Sequence, residues 1–396
     1  MKKFLMASAA TALMAGGAMA DDHSVKLGIM LGFTGPIESL TPAMAAGAEL
    51  AMTEVSESGK LLGGKKVMPV RADSTCVDSG AAAAAAERLV TSDGVKGIMG
   101  ADCSGVTGAV LSNVALPNGV VMISPSATSP ALSSAEDDGL FFRTAPSDER
   151  QGQVLAEVLK ERGIEEVAVT YTNNDYGKGL SDSFAKYFVA NGGTITSTTA
   201  HEDGKADYSA EVGALAAAGG DALVVAGYVD QGGPGVIRAA LDTGAFDTFV
   251  LPDGMIGAGL EEKFGSEIDG SIGTTPGSDA ADSTMVKDKV AATGEDVTGP
   301  YIGESYDAAA LILLAMQAAG SVEPGEYKSK IEMVANAPGE KIGAGELAKG
   351  LEILAAGGDI DYVGATAVEL IGPGEAAGGY REIELKGGKI ETVKFR

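Results

Sequence analysis

The chain has no tryptophan, only two cysteines and two histidines, and aromatic residues make up 5% of it. It is also short of positive charge: 29 Lys and Arg stand against 55 Asp and Glu, a formal net charge of −26. Each scarcity excludes something. A surface this acidic repels the phosphates of nucleic acid and of anionic lipid, so neither is expected as a partner. Two Cys and two distant His cannot supply the four ligands of a structural zinc site, and no metal is expected. No nucleophile motif accompanies either histidine, and His201, at a strand end, reads as a surface residue. The G-x-S-x-G, P-loop and HExxH patterns are all missing, so no enzyme and no cofactor is expected. The run Gly343-Ala344-Gly345-Glu346-Leu347-Ala348 has the spacing of a dinucleotide loop, but no apolar strand is read before it. Long apolar runs are lacking as well. Ala308 to Ala319 falls short of the ~20 residues that cross a bilayer.

What is present begins at the amino terminus. Met1-Lys2-Lys3, the apolar stretch Phe4 to Met14 and the small residues Ala18-Met19-Ala20 form a secretory signal, with cleavage expected after Ala20 and export to the periplasm. No Cys lies near the cleavage point, which argues against a lipid anchor. An even number of cysteines in an oxidising compartment predicts a disulfide between Cys76 and Cys103, with two free thiols as the alternative. Its loop is long enough for roughly 3–4 kcal/mol of stabilisation by chain entropy.

A length of 396 residues suits about two domains of ~100–200 residues each. Strands are read at Val25–Leu31, Lys66–Ala72, Val95–Gly100 and Gly119–Ser124. Helical runs at Ala43–Glu57, Ser79–Thr91 and Val106–Val114 separate them. The pattern pauses at Phe141–Ser147 and restarts with four more helix–strand pairs to Pro252. A long apolar helix, Ser305–Ala319, is expected to be buried, and Glu382–Lys386 with Lys389–Lys394 reads as a terminal hairpin. Regular alternation of this kind predicts an α/β protein of two doubly wound parallel-sheet lobes.

The stretch Gly100 to Leu132 holds two strand-to-helix turns rich in small hydroxyl residues. One is Asp102-Cys103-Ser104-Gly105, the other Ser124-Pro125-Ser126-Ala127-Thr128-Ser129-Pro130. In an open parallel sheet such turns lie at the carboxyl ends of strands, where ligands bind. Hydroxyls and unpaired N–H groups suit an anion; any one of these hydroxyls alone would serve equally as a helix cap.

Several motifs together resemble the periplasmic leucine/isoleucine/valine-binding proteins, receptors of ABC importers for hydrophobic amino acids. They are KLGIMLGFTGP, Cys76 with Cys103-Ser104, SPSATSPAL, FFRTAPSD, NNDYGKG, VVAGYVD, LPDG and YIGESYDAAALILLA. The resemblance implies a periplasmic-binding-protein fold of two lobes joined by three crossovers, placed at Phe141–Ser147, Gly273–Asp279 and Ile371–Gly379. Residues 21–147 and 277–370 would form the first lobe, and 148–276 with 371–396 the second. It also implies a site in the cleft. Ser104, Ser126 through its backbone with Ala127 beside it, and Thr128 would hold a ligand carboxylate. Asp253 would meet the ammonium from the second lobe, and Tyr176, Tyr228 and Tyr301 would line the closed cleft. Two positions depart from the pattern: Leu40 stands where a tyrosine is usual, and Asp253 where a glutamate is. The implied partners are an amino-acid ligand, aliphatic or branched-chain, and an ABC permease in the inner membrane, with a monomeric receptor between them. Receptors for amides, urea or aromatic acids share the fold, and a sensory ligand-binding module or a periplasmic hydrolase are the other readings.

Overall fold

The computed structural model describes residues 23–396; the leader and the cleavage site expected after Ala20 lie outside the described residues. Five parallel strands form the first sheet: β1 (Ser24–Leu31), β2 (Lys66–Asp73), β3 (Ile98–Gly100), β4 (Met122–Ser124) and β5 (Phe141–Arg143). Their order is β2-β1-β3-β4-β5. β1 is buried on both faces along most of its length; Leu27, Ile29, Met30 and Leu31 have no exposed surface.

The second sheet takes β6 (Glu166–Thr172), β7 (Thr194–His201), β8 (Ala222–Ala226), β9 (Phe249–Leu251) and β10 (Ile272–Pro276) in parallel. After two short strands elsewhere, β11 (Glu340–Gly343) paired with β12 (Ile360–Gly364), the terminal hairpin joins it. That hairpin, β13 (Tyr380–Lys386) and β14 (Lys389–Phe395), adds to β10 antiparallel. The full order is β14-β13-β10-β9-β8-β6-β7. The chain therefore passes between the two sheets three times, after β5, after β10 and before β13.

The apolar run read as a buried helix is one: Ile302–Ala319, with every residue from Ile302 to Gln317 buried. It lies against helix Thr41–Ser58, and Gly47 is what permits the approach. A β-carbon there would fall 2.5 Å from the Ile302 carbonyl. Because the helix is buried all round, its polar residues must find partners inside. Asp307 does: it accepts from Tyr362 (2.8 Å), the Ala365 N–H (2.8 Å) and both the N–H and hydroxyl of Thr366 (2.9 and 2.6 Å).

Candidate functional site

β3 and β4 are neighbours, so the two hydroxyl-rich turns leave adjacent strand ends, as their sequence suggested. Gly100 turns the chain at φ 130°, where a β-carbon would lie 2.1 Å from the Met30 carbonyl. Cys103 is extended (φ −91°, ψ 140°), and the helix begins at Ser104, two residues before the expected Val106. The Ser104 hydroxyl accepts from the Ser129 N–H at 3.1 Å, which ties one turn to the other. Ser126 adds a second tie, donating to the Asp102 carbonyl at 3.0 Å. Ser124 completes the weave: it donates to the Ala101 carbonyl and accepts from the Ala127 N–H at 2.9 Å.

Asp102 anchors this wall. It is buried, and its carboxylate accepts from the Gly32 N–H, the Ser74 hydroxyl (2.7 Å) and the Cys103 N–H (3.0 Å). Burial pushes its carboxyl above the usual range, and those three donors pull the other way. The Cys76–Cys103 disulfide is formed and locks the ends of β2 and β3 together beside it.

The opposite wall belongs to the second sheet. β9 ends at Leu251, and after Pro252 Asp253 starts a single 3-10 turn, Asp253–Met255. Asp253 is buried and accepts from the Tyr176 hydroxyl (3.0 Å) and from the Tyr301 hydroxyl. Burial raises its pKa, opposed first by Tyr301 and then by Tyr176. Tyr176 is placed by the NNDYGKG run. Asn174 caps helix Asp175–Ala190 by accepting from the Gly177 N–H (3.0 Å), and any β-carbon on Gly177 would strike the Thr172 carbonyl at 2.3 Å. Tyr176 stacks on Tyr228 with ring centroids 5.1 Å apart. Tyr301 comes from the other side, at the amino end of helix Ile302–Ala319, in the left-handed region at φ 72°.

Between the walls lies a small cavity. Leu40, Ser104, Ser126, Tyr176, Tyr228, Asp253 and Tyr301, all singled out in the sequence, line it. Ala127 and Thr128 are buried but do not line it. Ile37, Asp102, Cys103 and Gly254 complete the lining. The two sheets' loops also touch directly at its edge. The Asp230 N–H donates to the Pro36 carbonyl (3.1 Å), and the Asp230 carboxylate accepts from the Ser39 N–H (2.8 Å). Leu40 plugs the gap, so close that a β-carbon on Gly257 or Gly299 would sit 2.8 Å from its Cδ2.

One sequence reading needs correction. His201 is 1% exposed, not a surface residue: Tyr208 packs edge-on against its ring and its Nδ1 pairs with the Thr170 hydroxyl at 2.8 Å. Burial lowers its pKa to about 4. Before the GxGxxA run stands no apolar strand: β11, Glu340–Gly343, is short, polar and mostly exposed, and its last residue is the run's first glycine. Its turn is taken up internally: the Gly345 N–H donates to Tyr306, Gly343 to Glu346 and Leu347 to the Glu54 carboxylate. Carboxylates stand where a dinucleotide would bring phosphates.

Sequence reasoning also passed over Asp102 as a site residue. It stood inside a motif already singled out, but an acid's burial depends on groups far away in the chain, here Gly32 and Ser74.

Residues 24–339 match the family model described as periplasmic binding protein. The chain is 30% identical to the Leu/Ile/Val-binding protein homolog 3 of Brucella melitensis, over 81% of this chain and 86% of that one. Among solved structures, the leucine-binding protein LivK of Thermotoga maritima superposes with a TM-score of 0.76 at 23% identity, covering 94% of this chain and 98% of that one. An ABC-transporter solute-binding protein of R. palustris in complex with benzoate matches equally in fold, with a TM-score of 0.76 at 19% identity over 94% and 96% of the two chains.

Proposed function

This chain belongs to the periplasmic binding protein family, among the Leu/Ile/Val-binding proteins, and from that premise we propose that it is the solute receptor of an ABC importer for a zwitterionic, aliphatic amino acid. The reading rests on one observation above all: a buried acid, Asp253, faces hydroxyl-lined turns across the cavity between the two sheets. The ligand carboxylate lies at the two hydroxyl turns, against Ser104 and Ser126. Its ammonium takes Asp253, and its side chain lies against Ile37, Leu40 and the tyrosines. Binding then joins groups from both sheets, so each charge-assisted hydrogen bond, about 1.5–3 kcal/mol, favours the closed form. The receptor is exported to the periplasm and hands its ligand to a permease as a monomer.

A second reading has an observation behind it. The benzoate-bound relative has the same fold, and three tyrosines would suit an aromatic ring. An aromatic acid, however, brings no cation to Asp253. Calorimetry of ligand-stripped protein against leucine, isoleucine, valine, alanine, benzoate and simple amides separates the two. We expect binding of at least one aliphatic amino acid and none of benzoate. Benzoate binding without amino-acid binding would overturn the proposal.

A further inference from the structure

Asp253 is held from both sides of the cleft. It follows β9, and Tyr176, which donates to its Oδ1 at 3.0 Å, stands on the helix after β6, so that bond stays on the second sheet's side. The Gly254 N–H donates in turn to the Tyr176 oxygen at 3.2 Å, which fixes this phenol beside the acid. Tyr301 donates to the other carboxylate oxygen, Oδ2. It leads helix Ile302–Ala319, which packs at Gly47 against helix Thr41–Ser58, the helix after β1. Its bond to Asp253 therefore crosses the cleft, and all three side chains are buried.

The backbone at Tyr301 is unusual in a way that fits this contact. Residue 301 lies at φ 72° and ψ 6°, in the left-handed region that glycine takes readily and a bulky side chain seldom does. Pro300 precedes it, and its own carbonyl accepts from the Ser305 N–H at 2.9 Å, which opens the helix. Strain of this kind persists where the surroundings over-determine it, and it clusters where ligands are clamped. The two phenols do not use up the acid. An ionised carboxylate has about four lone-pair positions, and each phenol takes one. Asp253 and Tyr301 both line the cavity, so an ammonium finds acceptors on both.

We propose that Tyr301 is a latch: its hydroxyl grips Asp253 only when the two sides of the cleft meet, so closing the cleft and completing the ammonium subsite are one event. Tyr301 is thereby a positioning residue, acting on the ligand through the acid. Both partners of the bond belong to the protein, so it favours the closed form with or without a ligand, and part of the ligand-free population is closed. An arriving ammonium meets a carboxylate oriented from two directions rather than one free to turn. Tyr176 supplies the direction that does not depend on closure, and Tyr301 the one that does. The role at the ammonium rests on the amino-acid reading above; the latch itself does not.

Single-molecule fluorescence transfer between one dye on each side of the cleft counts open and closed molecules without any ligand. A protected hydrogen bond to a charged group shifts such an equilibrium by roughly 10- to 100-fold. Tyr301→Phe, which keeps the ring and removes the donor, should lower the closed-to-open ratio by about that factor. Tyr176→Phe removes a donor from the same carboxylate without crossing the cleft and should lower the ratio far less. A wild type with no closed molecules, a ratio equal in wild type and Tyr301→Phe, or an equal fall in the two variants would overturn the latch. Leucine calorimetry and stopped flow on the same proteins test the subsite. Tyr301→Phe should weaken the Kd by roughly 10- to 100-fold, mostly through faster dissociation. Unchanged or tighter leucine binding in Tyr301→Phe would overturn the positioning role. Failure of leucine to bind the wild type would count against the amino-acid reading, and the transfer measurement would still judge the latch.

Discussion

The contact between the Pro36–Leu40 turn and Asp230 offers a test of closure that touches no ligand. The Asp230 carboxylate receives the Ser39 N–H at 2.8 Å, a charge-assisted bond that exists only when the two sheets' loops meet. Asp230→Ala removes it and leaves the backbone bond from residue 230 to the Pro36 carbonyl in place. A hydrogen bond to a charged group contributes about 1.5–3 kcal/mol when protected, and solvent at this half-buried edge reduces that to roughly 1 kcal/mol. Lost from the closed form alone, 1 kcal/mol shifts the open–closed equilibrium by a factor of about 5. If binding requires closure, the Kd for an amino acid weakens by the same factor, almost wholly through faster dissociation. Stopped-flow tyrosine fluorescence with leucine would give both rates, and small-angle scattering the closed fraction. Asp230→Asn, which keeps an acceptor but not its charge, should fall between the two. A Kd and dissociation rate unchanged in Asp230→Ala would refute the idea that this contact helps hold the lobes shut.

Gly257→Ala should act in the same direction more strongly, because the added methyl meets Leu40 Cδ2 at 2.8 Å. We expect weaker ligand binding with little change in thermal stability, and calorimetry paired with a melting curve checks both. Glu304 predicts a pH effect on stability. Burial raises its pKa from 4.5 to about 7, with Lys287 and Arg381 the cations opposing the shift. A carboxyl raised on folding makes the folded state more stable as pH falls from about 7 to 4.5. Glu304→Gln, a stand-in for the protonated form, should therefore exceed the wild type by up to about 3 kcal/mol above pH ~7 and match it below pH ~4.5, read from urea unfolding. A constant difference across that range would refute the assignment. Reducing the Cys76–Cys103 bond, which closes a sequence separation of 27, should cost roughly 3–4 kcal/mol in the same assay. Coincident unfolding curves for oxidised and reduced protein would show that the loop is already constrained without it.

Much of this was legible in the sequence where the signal is local. The alternation of strands and helices, the hairpin Tyr380–Phe395 and the buried helix Ile302–Ala319 all follow from periodicity and turn chemistry. So do the two hydroxyl turns, because their positions after apolar runs place them at strand ends. Ser104 is helical rather than part of a loop because extended Cys103 takes the capping place, a choice made by dihedrals that composition does not reveal. His201 was misjudged because a strand end looks exposed until Tyr208, seven residues on, folds back over it. Asp148 stands in the first turn of its helix, where an acid is ordinary. Only the packing of Thr128 and Gln151 around it shows that water has been kept out.

Arg143 carries a consequence of its own. One guanidinium clasps the carbonyls of Ala127 and Ser129, at the core of the second hydroxyl turn, and at the same time Glu375, in the chain's last passage between the sheets. One side chain thus stitches the second hydroxyl turn to that passage, and neither can shift against the other without giving up an ion pair.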